Sequence, residues 1–289
     1  MQDLPQPIVS TDWLMRHSGD QDLQIIDTSW EMTDRQRPHY EVFLEEHIPG
    51  AIHFDAEKIA APSFAPPHRM VPEPALFAKL CGDLGIRQDA MLVIYDNAGL
   101  YTAARAWWMF KGFGHKGVAV LDGGLPAWKA ANGPIESGTA KARQRQNWRL
   151  PTSQPATVDS SEVAMALRMG TAQVVDARPP EQFNGDTSFR YPNVRPGHIP
   201  GSINLSQRLL RDENNFFRNP ADMRAVFTRH GIDFSKPVIA TCGSGITACI
   251  IDLACEIMGG ERVAIYDGSW EEWGGRSDLP AKLDAANCV

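Results

Sequence analysis

The chain alternates between short runs of branched apolar residues and longer stretches whose apolar positions recur every three or four residues. Runs such as LQIID (23–27), LVIYD (92–96), AQVVD (172–176) and VIATC (238–242) are bounded by turn residues and read as buried strands. SSEVAMALRMG (160–170) and NPADMRAVFTRHGI (219–232) have helical spacing. Ser160 is the expected cap of the first of these helices and Gly170 its end. Short strands alternating with helices predict an α/β fold with a mainly parallel sheet flanked by helices on both faces.

The pattern occurs twice. LQIIDTSW (23–30) precedes EEHIPGAIHFD (45–55), and AQVVDARP (172–179) precedes RPGHIPGSINLS (195–206). LVIYD answers VIATC, and AVLDGGLPAWKA (119–130) answers AIYDGSWEEWGG (264–275). Four matching blocks in one order indicate a duplicated domain. Each copy is expected to run as a helix, a strand, an H-I-P-G turn, a helix, a second strand with a loop, a helix and a third strand. The polar, proline-containing stretch 139–157 has no apolar period and reads as a linker. The predicted boundaries are 1–138, 139–157 and 158–289.

Composition narrows the function. The 289 residues are 43% apolar and carry a formal net charge of −7, so there is no basic footprint for nucleic acid. No apolar run approaches the roughly 20 residues of a membrane helix, and the N-terminal stretch does not read as an export signal. The five cysteines form no C-x-x-C pair, so neither a zinc site nor a disulfide scaffold is expected, and no cofactor is implied. A reducing cytosol is the expected compartment.

One cysteine stands apart. Cys242 follows an apolar strand and opens the loop Cys242-Gly243-Ser244-Gly245-Ile246-Thr247. Gly243 and Gly245 can take the positive φ angles that turn backbone N–H groups inward, and a helix beginning near Thr247 adds its own unpaired N–H groups. Such surroundings favour a thiolate, the nucleophilic form of cysteine. Cys249 and Cys255 fall in a helical apolar run and read as core. The first-copy position answering Cys242 is Asp96 or Asn97, so the chemistry is expected in the second copy alone. Residues 243–248 contain no Arg to clamp a phosphate, which disfavours phosphoester hydrolysis. No resolving cysteine lies close by, and no local signature marks His198 or His230 as a base. His47 and His198 recur in both copies, which favours a structural role. A thiolate that takes up a sulfur atom and holds it as a persulfide fits best.

The H-I-P-G segments, D-A-R after a strand, C-G-S-G-I-T and Y-D-G-S-W-x-E-W together resemble the tandem-domain rhodanese family, from Ile25 to Trp273. The resemblance implies two rhodanese-like α/β domains with a persulfide on Cys242, cradled by Gly243, Ser244, Gly245, Ile246 and Thr247. Thiosulfate-preferring members resemble C-R-K-G-V-T and mercaptopyruvate-preferring members C-G-S-G-V-T, to which this loop is similar. A neutral Gly-Ser pair also suits a monocarboxylate better than a dianion. The implied activity moves sulfur from 3-mercaptopyruvate to a thiol such as thioredoxin, to a small thiol or to cyanide. Thiosulfate as donor and a persulfide carrier loaded by another enzyme are the alternatives.

The donor-binding candidates follow from the same resemblance. Gln182 stands where the family carries an Arg, and Arg190 or Arg195 can take over its charge. Arg178 of the D-A-R segment, His68 and Arg69 of Pro67-His68-Arg69-Met70-Val71-Pro72, and Tyr101 complete the set. Glu57 matches the acid of a Ser-His-Asp relay, an Asp-to-Glu change. Asp267 and Trp270 are expected to fix the turn after the third strand.

Overall fold

The computed structural model describes residues 7–31, 37–56, 58–61, 69–140, 143–186, 193–260 and 263–283. The candidates Glu57, His68 and Arg190 lie outside these residues. The chain divides into two compact units: residues 1–61, 71–155 and 213–217 form one, and residues 62–70, 156–212 and 218–289 the other.

The first unit contains strands β1 (Ile8–Val9), β2 (Leu23–Asp27), β3 (Ile52–His53), β4 (Met91–Tyr95) and β5 (Val118–Leu121), and helices α1 (Thr11–His17), α2 (His39–Glu45), α3 (Pro74–Asp83), α4 (Thr102–Gly112) and α5 (Gly124–Ala130). The second contains β6 (Thr157–Val158), β7 (Gln173–Asp176), β8 (Ile203–Asn204), β9 (Val238–Thr241) and β10 (Ala264–Tyr266). Its helices are α6 (Ser160–Met169), α7 (Pro180–Phe183), α8 (Pro220–Arg229), α9 (Ala248–Ile257) and α10 (Ser269–Gly275), with a 3₁₀ turn at Gln207–Leu210.

Each unit folds around a five-stranded parallel sheet, in the order β1-β5-β4-β2-β3 and β6-β10-β9-β7-β8. The chain pattern predicts three strands per copy. The additional edge strands are two residues long, too short to carry a period of their own.

The central strands are buried on both faces, as parallel sheets require. Leu92 to Tyr95 are fully buried, and Ile239 to Thr241 nearly so. The helices that follow, α4 and α9, are buried along almost their whole length, a pattern of helices enclosed on every side. Register aligns the two copies: Asp27 pairs with Tyr95, and Asp176 with Thr241. The next residues are Asp96 and Cys242, so Asp96 rather than Asn97 answers the thiol.

Repeated residues repeat their bonds. The indole of Trp128 donates to Pro134 O at 2.8 Å and that of Trp273 to Pro280 O at 2.7 Å. His47 stacks on Phe43 and His198 on Phe183, each with Nδ1 within 2.9 Å of that residue's carbonyl. Their peptides form isolated antiparallel bridges, His47 with Glu136 and His198 with Lys282. Both histidines are scaffold.

Two local expectations change. The cap of α6 is Asp159 rather than Ser160: its carboxylate accepts the N–H groups of Ser161 and Glu162, and Glu162 reaches back to complete a capping box. The stretch 143–155, expected to be a linker, packs within the first unit. Gln146 N donates to Gly82 O, the Trp148 indole to Ile86 O, and Gln88 and Arg149 exchange two hydrogen bonds.

Candidate active site

Cys242 sits at the C-terminal end of β9, the middle strand of its sheet and the edge where open α/β sheets carry their sites. It is only 1% exposed. Gly243, Ser244 and Thr247 are partly exposed around it, whereas Gly245 and Ile246 are buried. The loop turns at Gly245, φ +78°, while Gly243 keeps a negative φ, contrary to the expectation for both glycines. A Cβ on Gly245 would lie 2.6 Å from Asp267 O. No other residue fits there. Thr247 precedes α9 without a side-chain cap bond; Cys249 N and Ile250 N donate to Ile246 O and Thr247 O at 3.3 and 3.1 Å, while Ala248 N has no acceptor among the described residues.

The first turn of α10 grips this loop. Trp270 N donates to Cys242 O at 3.0 Å and Glu271 N to Gly243 O at 2.8 Å. Cys242 N donates to Ser269 Oγ at 3.1 Å, and that hydroxyl donates to Tyr266 O at 2.8 Å. N–H groups that a helix start would leave unpaired instead fix the two peptides after the thiol, and the Ser269 hydroxyl holds the one before it.

The first-copy loop shows what this backbone frame holds. The Asp96 carboxylate, fully buried, accepts N–H groups from Ala98 at 3.0 Å, Leu100 at 2.9 Å, Thr102 at 3.0 Å and Ala103 at 3.0 Å. Thr102 Oγ1 adds a further contact at 3.3 Å. Gly99 turns this loop at φ +77°, and burial follows the same order as in the second copy: 96 buried, 97 and 98 partly exposed, 99 and 100 buried, 101 partly exposed. Ser244, Ile246 and Ala248 answer Ala98, Leu100 and Thr102. Among the described residues their N–H groups have no acceptor. One copy fills its amide frame with a carboxylate, and the other presents open amides beside a thiol.

The other described cysteines differ from Cys242 in setting. Burial pushes the Cys81 thiol well above its ordinary range. Burial, with Asp252 beside it, pushes the Cys255 thiol up to about 12. Cys249 is buried in α9 and donates to Gly245 O. Among the described residues no group of three or more His, Cys, Asp or Glu could hold a metal ion.

Two of the donor-binding candidates have other tasks. Arg178 is buried and forked onto Asp176, with Nη2 at 2.6 Å from Oδ2 and 3.0 Å from Gly197 O, while its guanidinium lies 4.9 Å over the Trp270 ring. A bidentate pair in the core holds the sheet end together, so Arg178 is scaffold. Arg195 collects the carbonyls at the end of α10: Gly274, Trp273, Arg276 and Leu279 all accept from its guanidinium. It acts as a C-terminal cap, a correction to its expected place at the donor. Gln182 lies partly exposed on α7. Tyr101 ends the first-copy loop and tilts against Trp30 at 6.5 Å. Arg69 is partly buried with φ +62°.

Sequence reasoning missed Ser269. The available signal was a single exchange inside a repeated block, where the first copy has Gly124.

The Rhodanese-like domain matches residues 10–131 and 159–276. The chain belongs to the rhodanese family. It is 36% identical over 275 residues to the 3-mercaptopyruvate sulfurtransferase of Escherichia coli K12, covering 95% of this chain and 97% of that one. It is 36% identical over 295 residues to the mitochondrial thiosulfate/3-mercaptopyruvate sulfurtransferase 1 of Arabidopsis thaliana, covering 95% and 78%. The crystal structure of SseA from Escherichia coli, described as a 3-mercaptopyruvate sulfotransferase with the rhodanese fold, superposes with a TM-score of 0.82 at 35% identity, covering 92% of this chain and 99% of that one. Two rhodanese-like units, each with a parallel five-stranded sheet, make this member a tandem sulfurtransferase.

Proposed function

We propose that this enzyme takes sulfur from 3-mercaptopyruvate onto Cys242 and passes it to a thiol or cyanide, releasing pyruvate. The observation that carries the reading is the pair of loops: one frame closes on a carboxylate, and its twin presents a thiol beside open amides. The Cys242 thiolate attacks the donor sulfur. An S–S bond forms, the C–S bond breaks, and its electron pair leaves with carbon as the enolate, which takes up the thiol proton to give pyruvate. The outer sulfur of the persulfide is an anion, and the N–H groups of Ser244, Ile246 and Ala248 are its natural donors. Attack of an acceptor thiolate or cyanide on that sulfur returns Cys242 as thiolate, giving two half-reactions and ping-pong kinetics.

The uncharged Gly243-Ser244 pair supports a monocarboxylate donor, with the Ser244 hydroxyl and Gln182 as neutral hydrogen-bond donors to it. Thioredoxin or a small thiol is the proposed acceptor. A thiol that must stay reduced between turnovers suits the cytosol.

Steady-state transfer with each donor, together with intact mass, tests the proposal. Turnover with 3-mercaptopyruvate should exceed that with thiosulfate by about tenfold or more. An adduct of about 32 Da should form on the parent and be absent from Cys242→Ala. Full activity in Cys242→Ala sinks the mechanism, and preference for thiosulfate sinks the donor assignment.

A further inference from the structure

Ser269 is the first residue of α10, fully buried, with φ +50°. This is the left-handed region, which a residue with a Cβ enters at a cost and glycine enters freely. The first copy has Gly124 at the matching position, with φ +59°. Both copies therefore need this backbone turn, and the copy with the thiol makes it with the less suited residue. What serine adds is its hydroxyl, which accepts Cys242 N–H at 3.1 Å and donates to Tyr266 O at 2.8 Å. The peptide after the strand-end residue is held alike in both copies: Leu125 N donates to Asp96 O at 2.9 Å, as Trp270 N does to Cys242 O at 3.0 Å, whereas Glu271 N, which donates to Gly243 O, is answered by Pro126 without an N–H.

We infer that Ser269 is a positioning residue for Cys242. Its hydroxyl ties the Cys242 N–H to the end of β10, so that the peptide before the thiol and the peptide after it are both fixed and the sulfur is held toward the amides of the loop. Backbone strain at Ser269 is retained because a glycine there would release the cysteine's N–H. In a reaction that needs attacking and attacked atoms aligned within a few tenths of an ångström, this alters the rate of sulfur uptake rather than donor affinity. The inference rests on the reading of Cys242 as the sulfur-accepting residue.

Ser269→Gly and Ser269→Ala separate the two roles of this residue. Neither variant has the hydroxyl, and only glycine relaxes the backbone. Sulfur loading of Cys242 by 3-mercaptopyruvate, followed by intact mass well below the melting temperature, should slow about tenfold in both, with KM little changed. Ser269→Gly should melt about 2–4 °C above Ser269→Ala. Rate then follows the hydroxyl while stability follows φ, a split that a purely structural serine does not produce. Parental loading in Ser269→Gly overturns the inference. If Cys242→Ala retains turnover, the reading of Cys242 falls first. If Cys242→Ala is inactive and Ser269→Gly loads normally, only the positioning role is lost.

Discussion

Asp96 and Cys242 end matching strands and open loops that turn at matching glycines, Gly99 at φ +77° and Gly245 at φ +78°. In the first loop the strand-end side chain bends back into the frame and accepts four N–H groups. In the second the side chain is a thiol, too short and too weak an acceptor to satisfy those amides by itself. The loops differ also at the fourth residue past Asp96 and Cys242. Leu100 takes φ +84°, whereas Ile246, β-branched and costly at positive φ, keeps a negative one. Duplication thus preserved the same turn in both units, with the acceptor built into the chain in the first. On the proposed reading, the acceptor in the second arrives with the substrate.

If the frame matters in both copies but chemistry in only one, the same substitution should have different consequences in the two loops. Gly245→Ala brings a Cβ to within 2.6 Å of Asp267 O at a φ that alanine resists. The loop must shift, and the open amides with it. Sulfur transfer is expected to fall about 100-fold or more, with a stability loss of about 2–3 kcal/mol. Gly99→Ala should lose comparable stability yet transfer sulfur at close to the parental rate at low temperature. Melting curves paired with rates for the two variants measure this. Equal loss of activity in both would mean that the first-copy loop serves the reaction directly.

A smaller effect is expected from Asp96→Asn, which keeps the shape of the side chain and replaces one acceptor oxygen with a donor. An amide NH₂ then faces backbone N–H groups in a buried loop, and at least two charge-assisted bonds are lost. The first unit should lose about 2 kcal/mol, seen as a lower denaturant midpoint, while the sulfur adduct on Cys242 forms within about twofold of the parental rate. Unchanged stability would show that the frame has no preference for an anion, and would weaken the parallel assignment of its twin to a persulfide.

The repeat was legible because its conserved-looking blocks carry bonds that the residue type alone requires. Trp128 and Trp273 need an acceptor for a buried indole N–H and find it in Pro134 and Pro280, six and seven residues on. Cys242 was marked as the candidate by its glycine neighbours, and Gly245 does make the positive-φ turn expected after the strand. The arginines were not. A guanidinium takes whatever partner tertiary packing brings, and for Arg195 these are the carbonyls of residues 273, 274, 276 and 279, supplied by the end of α10 and the turn after it, far along the chain. The role of Asp96 was hidden for a related reason: its acceptor function exists only once residues 98 to 103 fold over it. Ser269 was visible as an exchange with Gly124, but its meaning depended on the φ angle and on the cysteine N–H beside it.

The two units should also respond differently to acid, through a residue of the first. His115 is 6% exposed and packs against Phe110 and Trp148, with ring centroids 5.7 and 6.1 Å away. Burial pushes its pKa down from 6.5 to about 4. In the folded unit the ring stays neutral across this range, while in the unfolded chain it takes up a proton below pH 6.5. Unfolding therefore binds protons in this window, and the contribution to stability that is present above pH 6.5 is lost as the pH falls toward 4. The loss between pH 7 and pH 5.5 should be about 1 kcal/mol. His115→Gln keeps a polar ring-sized group that does not titrate, so its denaturant midpoint should lack this contribution. The difference between parent and variant should shrink as the pH is lowered from 7 to 5.5. A constant difference across that range would show that His115 is not held neutral by the first unit.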